Sequence, residues 1–540
     1  MMICLFGNLG ALGLVGPDEP RYAWIARAMS ETGDWVTPRL YGAPWLEKPA
    51  LYYWAAAVGF RLDLPAEWAA RLPSALAALA AALAIGWLGR KHYGNHSGSE
   101  VSPTLLAPLL FSTSVAAIGF ARSASPDMLF SASITLAMAS AATALRRAGS
   151  LRSADATDVA SARLGTLPAV LFGVFLGLGV MAKGPAAIAL AAGAIGLWAL
   201  ATRQWRTAFR LAHPLAILAF CTVALPWYIA CALRNPDFLR VFLFQHNVER
   251  YLTPMFQHRQ PIWFFGPIVL LALAPWTALL WPVANEAIRL WRENRWTYSP
   301  GFFFGCWAIF PVAFFSLSQS KLPGYILPAI PPLALICAVA LARAVEKNRA
   351  IAANLAAGAA ATCVIIALVS SFFTRRQDWT AVPVDGGATS VARLSYAVLG
   401  VTVLIAAGTI LAGYRQNLAI ATGLCALWVV MSVEIANLRV LPLLDYFYSA
   451  RPHAVFLRND RHPDRIFTYH LPRSWNYGLA FYFRRALPEW SPSDPQPALV
   501  LTTPEGAKKI GSFDRIGGSL EEHYAGILYV PVTAAPVPRQ

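Results

Sequence analysis

Residues 16–54 decide the fold: they read GPDEPRYAWIARAMSETGDWVTPRLYGAPWLEKPALYYW and form a polar island in an apolar chain. The island opens on the adjacent acids Asp18 and Glu19 and later places Glu47 beside Lys48, and tryptophan and tyrosine fill much of the remainder. A charged group at the centre of a bilayer costs roughly 2.5–3.5 kcal/mol. Charge gathered in this way therefore predicts a loop that leaves a membrane between two apolar segments.

The composition of the whole chain indicates a polytopic α-helical membrane protein. Of its 540 residues, 57% are hydrophobic and 13% are charged, and the mean hydropathy is +0.49. Soluble domains carry about 25% charged residues. The net charge of +16 comes without a basic tract that interleaves aromatic residues, so nucleic-acid binding is not predicted. The seven cysteines show no CxxC spacing, which argues against a zinc ribbon or a disulfide framework.

Apolar runs recur along most of the chain and predict about 13 transmembrane helices, since one span needs about 20 apolar residues. The predicted spans centre on Met2–Val15, Glu67–Leu88, Thr104–Ala121, Met128–Leu145, Leu167–Met181, Pro185–Ala201, Phe209–Leu233, Ile262–Val283, Gly301–Leu317, Tyr325–Ala344, Ala353–Phe373, Leu394–Ala412 and Leu418–Leu438. The first run is short for a span, and we expect a first helix clipped by a misplaced start codon. Leu51–Phe60 is too short to cross and is predicted to be re-entrant or interfacial, and the amphipathic segment Tyr22–Ser30 is predicted to be an interfacial helix.

Basic residues in the short loops predict the orientation of the chain. Their clusters, such as Arg146 with Arg147, all fall on one side, which the positive-inside rule assigns to the cytoplasm. An odd number of spans then places residues 17–65, residues 234–261 and the C-terminal tail on the outer face. In a bacterium this means the inner membrane, with the tail in the periplasm.

The composition changes at about residue 441. β-rich runs then alternate with polar turns, and HYAGILYVPV near the C-terminus is typical of a last strand. The sequence therefore predicts a membrane domain over residues 1–440 and a small periplasmic α/β domain over residues 441–540, here called the tail.

Polar groups recur at the outer ends of the predicted spans. They lie in the segments PDEPRY, LEKP, FARSASPDML, MAKGP, FLFQHNVERYL and SQSKLPGYILP. Each group alone has a plain interpretation, because a lysine or arginine at a span end is usually an anchor whose charge reaches the membrane surface. Several acids and bases near one face of the membrane instead indicate a shared water-filled cavity. Cations there suit a phosphate and carboxylates suit sugar chemistry, which predicts an enzyme acting on a lipid phosphate.

These motifs resemble those of a known family. PDEPRY, GDW and EKP in the island, followed in order by SPDML, AKGP, HNVERY and KLPGYILPAIPPLAL, are similar to the bacterial aminoarabinose transferase (ArnT) and the wider protein-mannosyltransferase-like group of GT-C glycosyltransferases. The likeness covers most of the chain and is weakest in the tail. One departure is Gln245, where the family often has glutamate. The resemblance implies a GT-C fold with about 13 transmembrane helices and a periplasmic α/β domain.

Carried over by motif, the resemblance implies catalytic carboxylates at Asp18 and Asp127. It implies that the donor and the acceptor are bound by Arg21, Tyr22, Lys48, Lys183, Arg250, Lys321 and Tyr325. Glu47 and His246 resemble a family pair that can hold a divalent metal such as zinc. One histidine and one glutamate are too few for a tight structural zinc site. We therefore predict that no cofactor is required and that any metal is optional.

The resemblance further implies a polyprenyl-phosphate sugar donor, usually undecaprenyl phosphate, and transfer with inversion outside the membrane. The sugar could be 4-amino-4-deoxy-L-arabinose and the acceptor lipid A, or another sugar and a protein or envelope-glycan acceptor. Asp18 would act as general base on a hydroxyl acceptor, or would orient a phosphate acceptor. A lipid-phosphate flippase is a second hypothesis and an assembly partner a third. Besides the bilayer, donor and acceptor, no partner is predicted, and we expect a monomer.

Overall fold

The computed structural model describes residues 1–94, 102–151, 165–252, 259–347, 349–376, 387–458, 465–491, 494, 498–510, 521–523 and 526–532. Within this part of the chain, eight helices are long and apolar enough to cross a membrane. They are Ala66–Tyr93, Asp127–Arg147, Thr166–Lys183, Pro214–Arg234, Pro323–Arg343, Ala353–Phe372, Arg393–Tyr414 and Leu418–Tyr448. The chain is thus a multi-pass membrane protein, as its composition predicted.

Four further predicted spans have helical counterparts that are bent or short. Two helix pairs are sharply bent: Pro103–Ser112 with Val115–Ala121 at 62°, and Ile262–Leu273 with Trp276–Arg292 at 111°. Ala186–Thr202 and Pro300–Ser316 are apolar helices of 17 residues each. With the eight long helices, these elements account for every predicted span except the first.

The first predicted span is wrong, because the structure forms a helix only over Met2–Phe6. The rest of that run carries glycines at intervals of three, and each glycine weakens a helix by roughly 1 kcal/mol relative to alanine. Gly13 lies so close to the tail that an added Cβ would approach Ser449 Oγ to 2.0 Å. The carbonyl groups of this irregular segment are bound instead by Arg71, which donates to Leu9, Leu12 and Gly13 at 2.6–2.8 Å.

The polar island folds as a helix, a short hairpin and a second helix. The loop helix Asp18–Thr32 begins after Pro17 with two acids in its first turn, where the positive end of the helix dipole favours them. It ends at Gly33, whose φ of 73° is left-handed and suits glycine. Strands β1 (Arg39–Leu40) and β2 (Ala43–Pro44) pair antiparallel, and helix Leu51–Arg61 follows, too short to cross a membrane.

The tail contains strands and helices, as the sequence predicted, and its described strands form a mixed sheet. Its described strands are β3 (Ile466–Tyr469), β4 (Ala498–Thr502), β5 (Glu521–His523) and β6 (Ile527–Val532), in the order β3-β4-β6-β5. The pair β3–β4 is parallel and the pairs β4–β6 and β5–β6 are antiparallel. The described tail helices are Arg451–Arg458, Arg473–Phe483 and Pro504–Ile510. Helix Leu418–Tyr448 runs through residue 440, so the domain boundary there stays a prediction.

A polar cluster fastens the tail to the membrane helices. Arg451 forms ion pairs with Asp445 at 2.7 Å and with Glu67, at the start of helix Ala66–Tyr93, at 3.2 Å. The Tyr482 hydroxyl donates to Glu67 at 2.8 Å and accepts from the Leu14 N–H at 2.8 Å. These contacts hold the tail helix Arg473–Phe483 beside the loop helix.

Candidate active site

A cavity of about 1070 Å³ lies where the loop helix, the ends of the membrane helices and the tail helix meet. The structure brings most of the predicted site residues to this cavity. Those that line it are Asp18, Arg21, Tyr22, Glu47, Lys48, Asp127, Lys183, His246 and Tyr325. Residues far apart in the sequence thus share one space, as expected for a polar cavity inside a membrane protein.

Asp18 and Arg21 form the end of the cavity built by the loop helix. One turn of helix separates them, and Arg21 Nη2 lies 2.5 Å from Asp18 Oδ1. The Asp18 side chain is 60% exposed whereas that of Arg21 is 13% exposed, so the aspartate faces the open space and the arginine supports it. Oδ2 of Asp18 has no hydrogen bond to any described group, which leaves it available to a substrate.

The surroundings of Arg21 keep its charge in place. Its guanidinium lies 5.0 Å from the centre of the Trp45 ring and 3.9 Å from Glu47 Oε2. Burial acts to lower the pKa of Arg21, but Tyr22, Asp18 and Glu47 outweigh it, and the pKa is raised overall. The guanidinium therefore remains a fixed cation between two carboxylates.

Glu19, the second acid of the island, lies outside the cavity and fastens the first turn of the loop helix to its neighbours. Its carboxylate is buried, pairs with Arg71 at 2.6 Å and accepts hydrogen bonds from the N–H groups of Val15 and Ala124 at 2.9 and 2.7 Å. Arg71 was not among the predicted functional residues. The signal was present, because an arginine inside the apolar helix Ala66–Tyr93 requires a partner within the protein.

Asp127 and Lys183 form a second charged group in the cavity. Asp127 begins one membrane helix, Lys183 ends the next, and their side chains form an ion pair. Lys183 Nζ also lies 5.1 Å from the centre of the Tyr325 ring. The chain turns directly after Lys183 at Gly184, whose φ is 99°, and an added Cβ there would come within 2.7 Å of Phe242. The glycine in the MAKGP segment is thus required for the turn between the two helices and for close packing against Phe242.

Glu47, Lys48 and His246 lie along a third side of the cavity. Lys48 Nζ donates to the Glu47 carbonyl at 3.2 Å, and His246 Nε2 lies 3.8 Å from Glu47 Oε1. Catalytic zinc sites use three protein ligands. No group of three histidine, cysteine, aspartate or glutamate side chains that could hold a metal occurs in the part of the chain the structure describes. The two residues alone do not fit a zinc site, and the optional metal has no support.

Two predicted site residues stand apart from these groups. Lys321 is buried and does not line the cavity; its Nζ donates to the Ser318 carbonyl at 2.6 Å, within its own turn. Tyr325, one turn later, does line it. The Arg250 side chain lies outside the described residues, so its binding role stays a prediction.

The lining also includes residues to which no role was assigned from the sequence. Arg473, Ser474 and Tyr477 come from the tail helix and were not predicted, whereas Asn247 and Tyr251 belong to the predicted segment FLFQHNVERYL. The Tyr251 hydroxyl donates to the Phe314 carbonyl at 2.9 Å, which ties this segment to helix Pro300–Ser316. No motif was identified in the tail, so its three residues could not be predicted from the sequence.

Aromatic and aliphatic side chains complete the walls of the cavity. They are Phe120, Phe130, Leu252, Phe314, Phe315 and Leu322. An apolar wall beside paired acids and cations suits an amphiphile that has a phosphate head and a hydrocarbon chain. The carboxylate of Asp18, open on one oxygen, suits proton transfer or the stabilisation of positive charge.

Fold and site together define a polytopic membrane protein with a charged cavity at one end of its helices. The family model described as dolichyl-phosphate-mannose-protein mannosyltransferase matches residues 3–242. ArnT from Cupriavidus metallidurans, in its crystal structure with bound undecaprenyl phosphate, superposes with a TM-score of 0.79 at 22% identity, over 100% of this chain and 98% of that one. The apo structure of the same ArnT gives a TM-score of 0.76, at 22% identity over 98% and 96% of the two chains.

The chain is also similar in sequence to curated transferases. The undecaprenyl phosphate-alpha-4-amino-4-deoxy-L-arabinose arabinosyl transferase of Edwardsiella ictaluri is 33% identical over 338 residues, which are 62% of this chain and 56% of that protein. The protein of the same name from Pseudomonas aeruginosa is 32% identical over 340 residues, 63% and 58% of the two chains. The chain thus spans just over half the length of these relatives. The resemblance read from the motifs is confirmed: the chain is similar in sequence to these transferases over part of its length and has the fold of ArnT.

Proposed function

We propose that the protein is a membrane glycosyltransferase that moves a sugar from a polyprenyl phosphate, such as undecaprenyl phosphate, to an acceptor at the outer face of the membrane. One observation carries the proposal: a single cavity is lined by charged residues and by apolar walls. The charged residues that matter here are Asp18, Arg21, Lys48, Asp127 and Lys183. The names of the relatives make 4-amino-4-deoxy-L-arabinose the first candidate sugar. Lipid A is the first candidate acceptor, by the family resemblance.

The proposed reaction is a single displacement with inversion. An acceptor oxygen attacks the anomeric carbon of the sugar, the bond from that carbon to the phosphate oxygen breaks, and polyprenyl phosphate leaves with the bonding electrons. Cations near the leaving phosphate stabilise its growing charge. Lys48 in the cavity and Arg250, by the family resemblance, are assigned this role.

Asp18 is the proposed catalytic carboxylate. With Oδ1 held by Arg21, its free Oδ2 can accept the proton of a hydroxyl acceptor as the new bond forms. Where the acceptor is a phosphate, no proton need be removed, and Asp18 instead stabilises positive charge on the sugar ring. Asp127 lines the same cavity, is paired with Lys183 and is assigned to orienting the sugar.

The protein is proposed to lie in a bacterial inner membrane with the cavity open to the periplasm, and to act as a monomer. The basic loops support this orientation, because the cavity lies at the opposite ends of the helices from them. A polyprenyl donor would then enter from the outer leaflet.

Reconstitution of the purified protein with synthetic undecaprenyl-phosphate aminoarabinose and lipid A tests the proposal. Mass spectrometry of lipid A should show the added sugar, and NMR should show an inverted anomeric centre. Asp18→Asn should reduce the transfer rate at least 100-fold, in line with the loss of a general base or electrostatic group, while binding undecaprenyl phosphate normally. Full activity of this variant would refute the assignment of Asp18, and a retained configuration would refute the single displacement.

A second candidate function is transfer of another sugar to a protein or envelope glycan. The match of residues 3–242 to a protein mannosyltransferase family supports it. Mass spectrometry of lipid A and of polyprenyl-phosphate sugars from cells with and without the gene separates the two. Lipid A identical in both, with an accumulated polyprenyl-phosphate hexose in the deletion, would favour the second candidate.

A further inference from the structure

The tail helix Arg473–Phe483 brings a separate set of polar groups to the cavity. Arg473, Ser474 and Tyr477 occupy the first two turns of this helix and line the same space as Asp18. The other charged lining residues come from the polar island, the membrane helices and the segment that carries His246. The cavity is therefore built from two parts, of which one belongs to the tail.

The position of the tail helix relative to the loop helix is fixed by contacts at its far end. Arg27 of the loop helix donates to the Phe481 carbonyl at 2.8 Å, and its guanidinium lies 3.8 Å from the centre of the Phe481 ring. Tyr482 bonds both Glu67 and the N–H of Leu14. These contacts make Arg473 a built part of the cavity and not the end of a loose surface helix.

Tyr477 joins the two parts directly. Its ring centre lies 5.8 Å from the Arg21 guanidinium and 6.3 Å from the ring centre of Tyr41. Arg21 in turn holds Asp18. The tail helix thus contacts the group that supports the proposed catalytic carboxylate.

Arg473 differs from the other cations of the cavity in its pairing. Arg21 pairs with Asp18, and Lys183 pairs with Asp127. Arg473 is exposed and has no hydrogen bond or ion pair with any group in the part of the chain that the structure describes. An arginine fork without a protein partner, facing a cavity, is suited to binding an anion of planar or tetrahedral oxygen geometry.

We propose that Arg473, Ser474 and Tyr477 form an acceptor subsite that binds a phosphate group of the acceptor lipid. The proposal rests on the proposed function and adds to it where the acceptor binds. A donor phosphate and an acceptor phosphate share the same chemistry. The acceptor is favoured because the donor must lay its hydrocarbon chain on the apolar wall, which the membrane helices supply, whereas Arg473 comes from the tail on the outer side.

The test compares Arg473→Gln with Arg465→Gln, which removes an exposed arginine of the same tail that does not line the cavity. We expect Arg473→Gln to raise the KM for lipid A roughly tenfold, the loss of about one charge-assisted hydrogen bond, and to leave kcat within about twofold. Binding of undecaprenyl phosphate should be unchanged. Affinity for bisphosphorylated lipid A should fall, whereas affinity for phosphate-free lipid A should not. Arg465→Gln should match the wild type throughout.

The outcomes separate this proposal from the function on which it rests. Wild-type protein that transfers no sugar to lipid A refutes the first candidate function. An active wild type with an unchanged KM in Arg473→Gln refutes the acceptor subsite alone. Weakened binding of undecaprenyl phosphate in Arg473→Gln also overturns it, because Arg473 would then bind the donor. Arg473→Lys should restore part of the affinity, since it keeps the charge but not the fork.

Discussion

At the scale of single residues, the two adjacent acids of the island have different tasks. Asp18 is 60% exposed and faces the cavity, whereas the side chain of Glu19 is 8% exposed and paired with Arg71. The helix geometry explains the division, because neighbouring side chains on a helix point about 100° apart. One acid is therefore open to the cavity, while the next one anchors the first turn of the loop helix.

Glu19→Gln should destabilise the protein and disturb the cavity. It leaves Arg71 charged and buried without its counter-ion, and breaking a buried pair costs about 3–5 kcal/mol. We expect a lower midpoint of thermal unfolding in detergent and a reduced kcat for transfer. Glu31→Gln, which changes an exposed acid of the same helix, is the control and should leave both values unchanged. Equal stability of the two variants would show that the Glu19–Arg71 pair does not anchor the helix.

At the scale of elements, the length of the apolar runs predicted most of the membrane helices correctly. It could not predict where distant side chains bind the backbone or where a helix bends. Spans such as Met128–Leu145 needed only a long apolar run, which the structure shows as Asp127–Arg147. The first run failed because its regular glycines weaken a helix and because its carbonyls are bound by Arg71, a contact 58–62 residues away that hydropathy does not record. The 111° bend after Leu273 escaped for the same reason, since hydropathy does not record direction.

The site residues divide in the same way, into those that a local pattern predicts and those that depend on distant contacts. Asp127 and Lys183 could be named because each charge interrupts an apolar run, and the resemblance supplied their common location. Lys321 matched a motif equally well, yet its amine is bound within its own turn. Arg473 lies in a polar tail with other arginines, so nothing in the sequence distinguished it. Only the packing of the tail on the loop helix places it at the cavity.

The segment after the loop helix depends on Asp34, which gives stability a defined pH dependence. Its Oδ1 accepts from the N–H groups of Val36 and Thr37 at 3.1 Å and lies 3.1 Å from Arg234, at the end of helix Pro214–Arg234. Burial acts to raise the pKa of Asp34, but these hydrogen bonds and the charges of Arg234 and Arg39 lower it overall.

A depressed pKa means that the folded state favours the carboxylate. The stability from Asp34 is fully present above the unfolded pKa of about 3.9 and is lost as the pH falls through the lower folded value. Asp34→Asn should therefore be less stable than the wild type at pH 6, and the difference should shrink below about pH 4. Thermal unfolding across this range, with exposed Asp63→Asn as control, measures it. A difference that stays constant down to pH 3 would contradict the assigned cause.

At the scale of the whole molecule, the membrane helices and the tail meet in one cluster of polar contacts. Glu67, at the start of a membrane helix, binds Arg451 and Tyr482 of the tail, and Asp445 accepts from the Gly13 N–H at 2.7 Å. The irregular segment after Met2–Phe6 thus lies between the two parts and bonds both. We therefore expect the proposed acceptor subsite on the tail to align with Asp18 only while this cluster is intact.

Tyr482→Phe tests whether the cluster aligns the two halves of the cavity. The change removes one hydroxyl and leaves the Leu14 N–H without its acceptor and Glu67 without one donor, a loss of about 1–2 kcal/mol. Because Tyr482 is on the tail helix, we expect faster amide hydrogen exchange in Arg473–Phe483 and a raised KM for the acceptor, while undecaprenyl phosphate binding stays normal. Tyr469→Phe, in strand β3, removes a hydroxyl that bonds no described group and serves as control. Slower transfer without faster exchange in the tail helix would mean that Tyr482 acts on the cavity directly. Unchanged exchange and unchanged transfer would mean that the cluster does not align the two halves of the cavity.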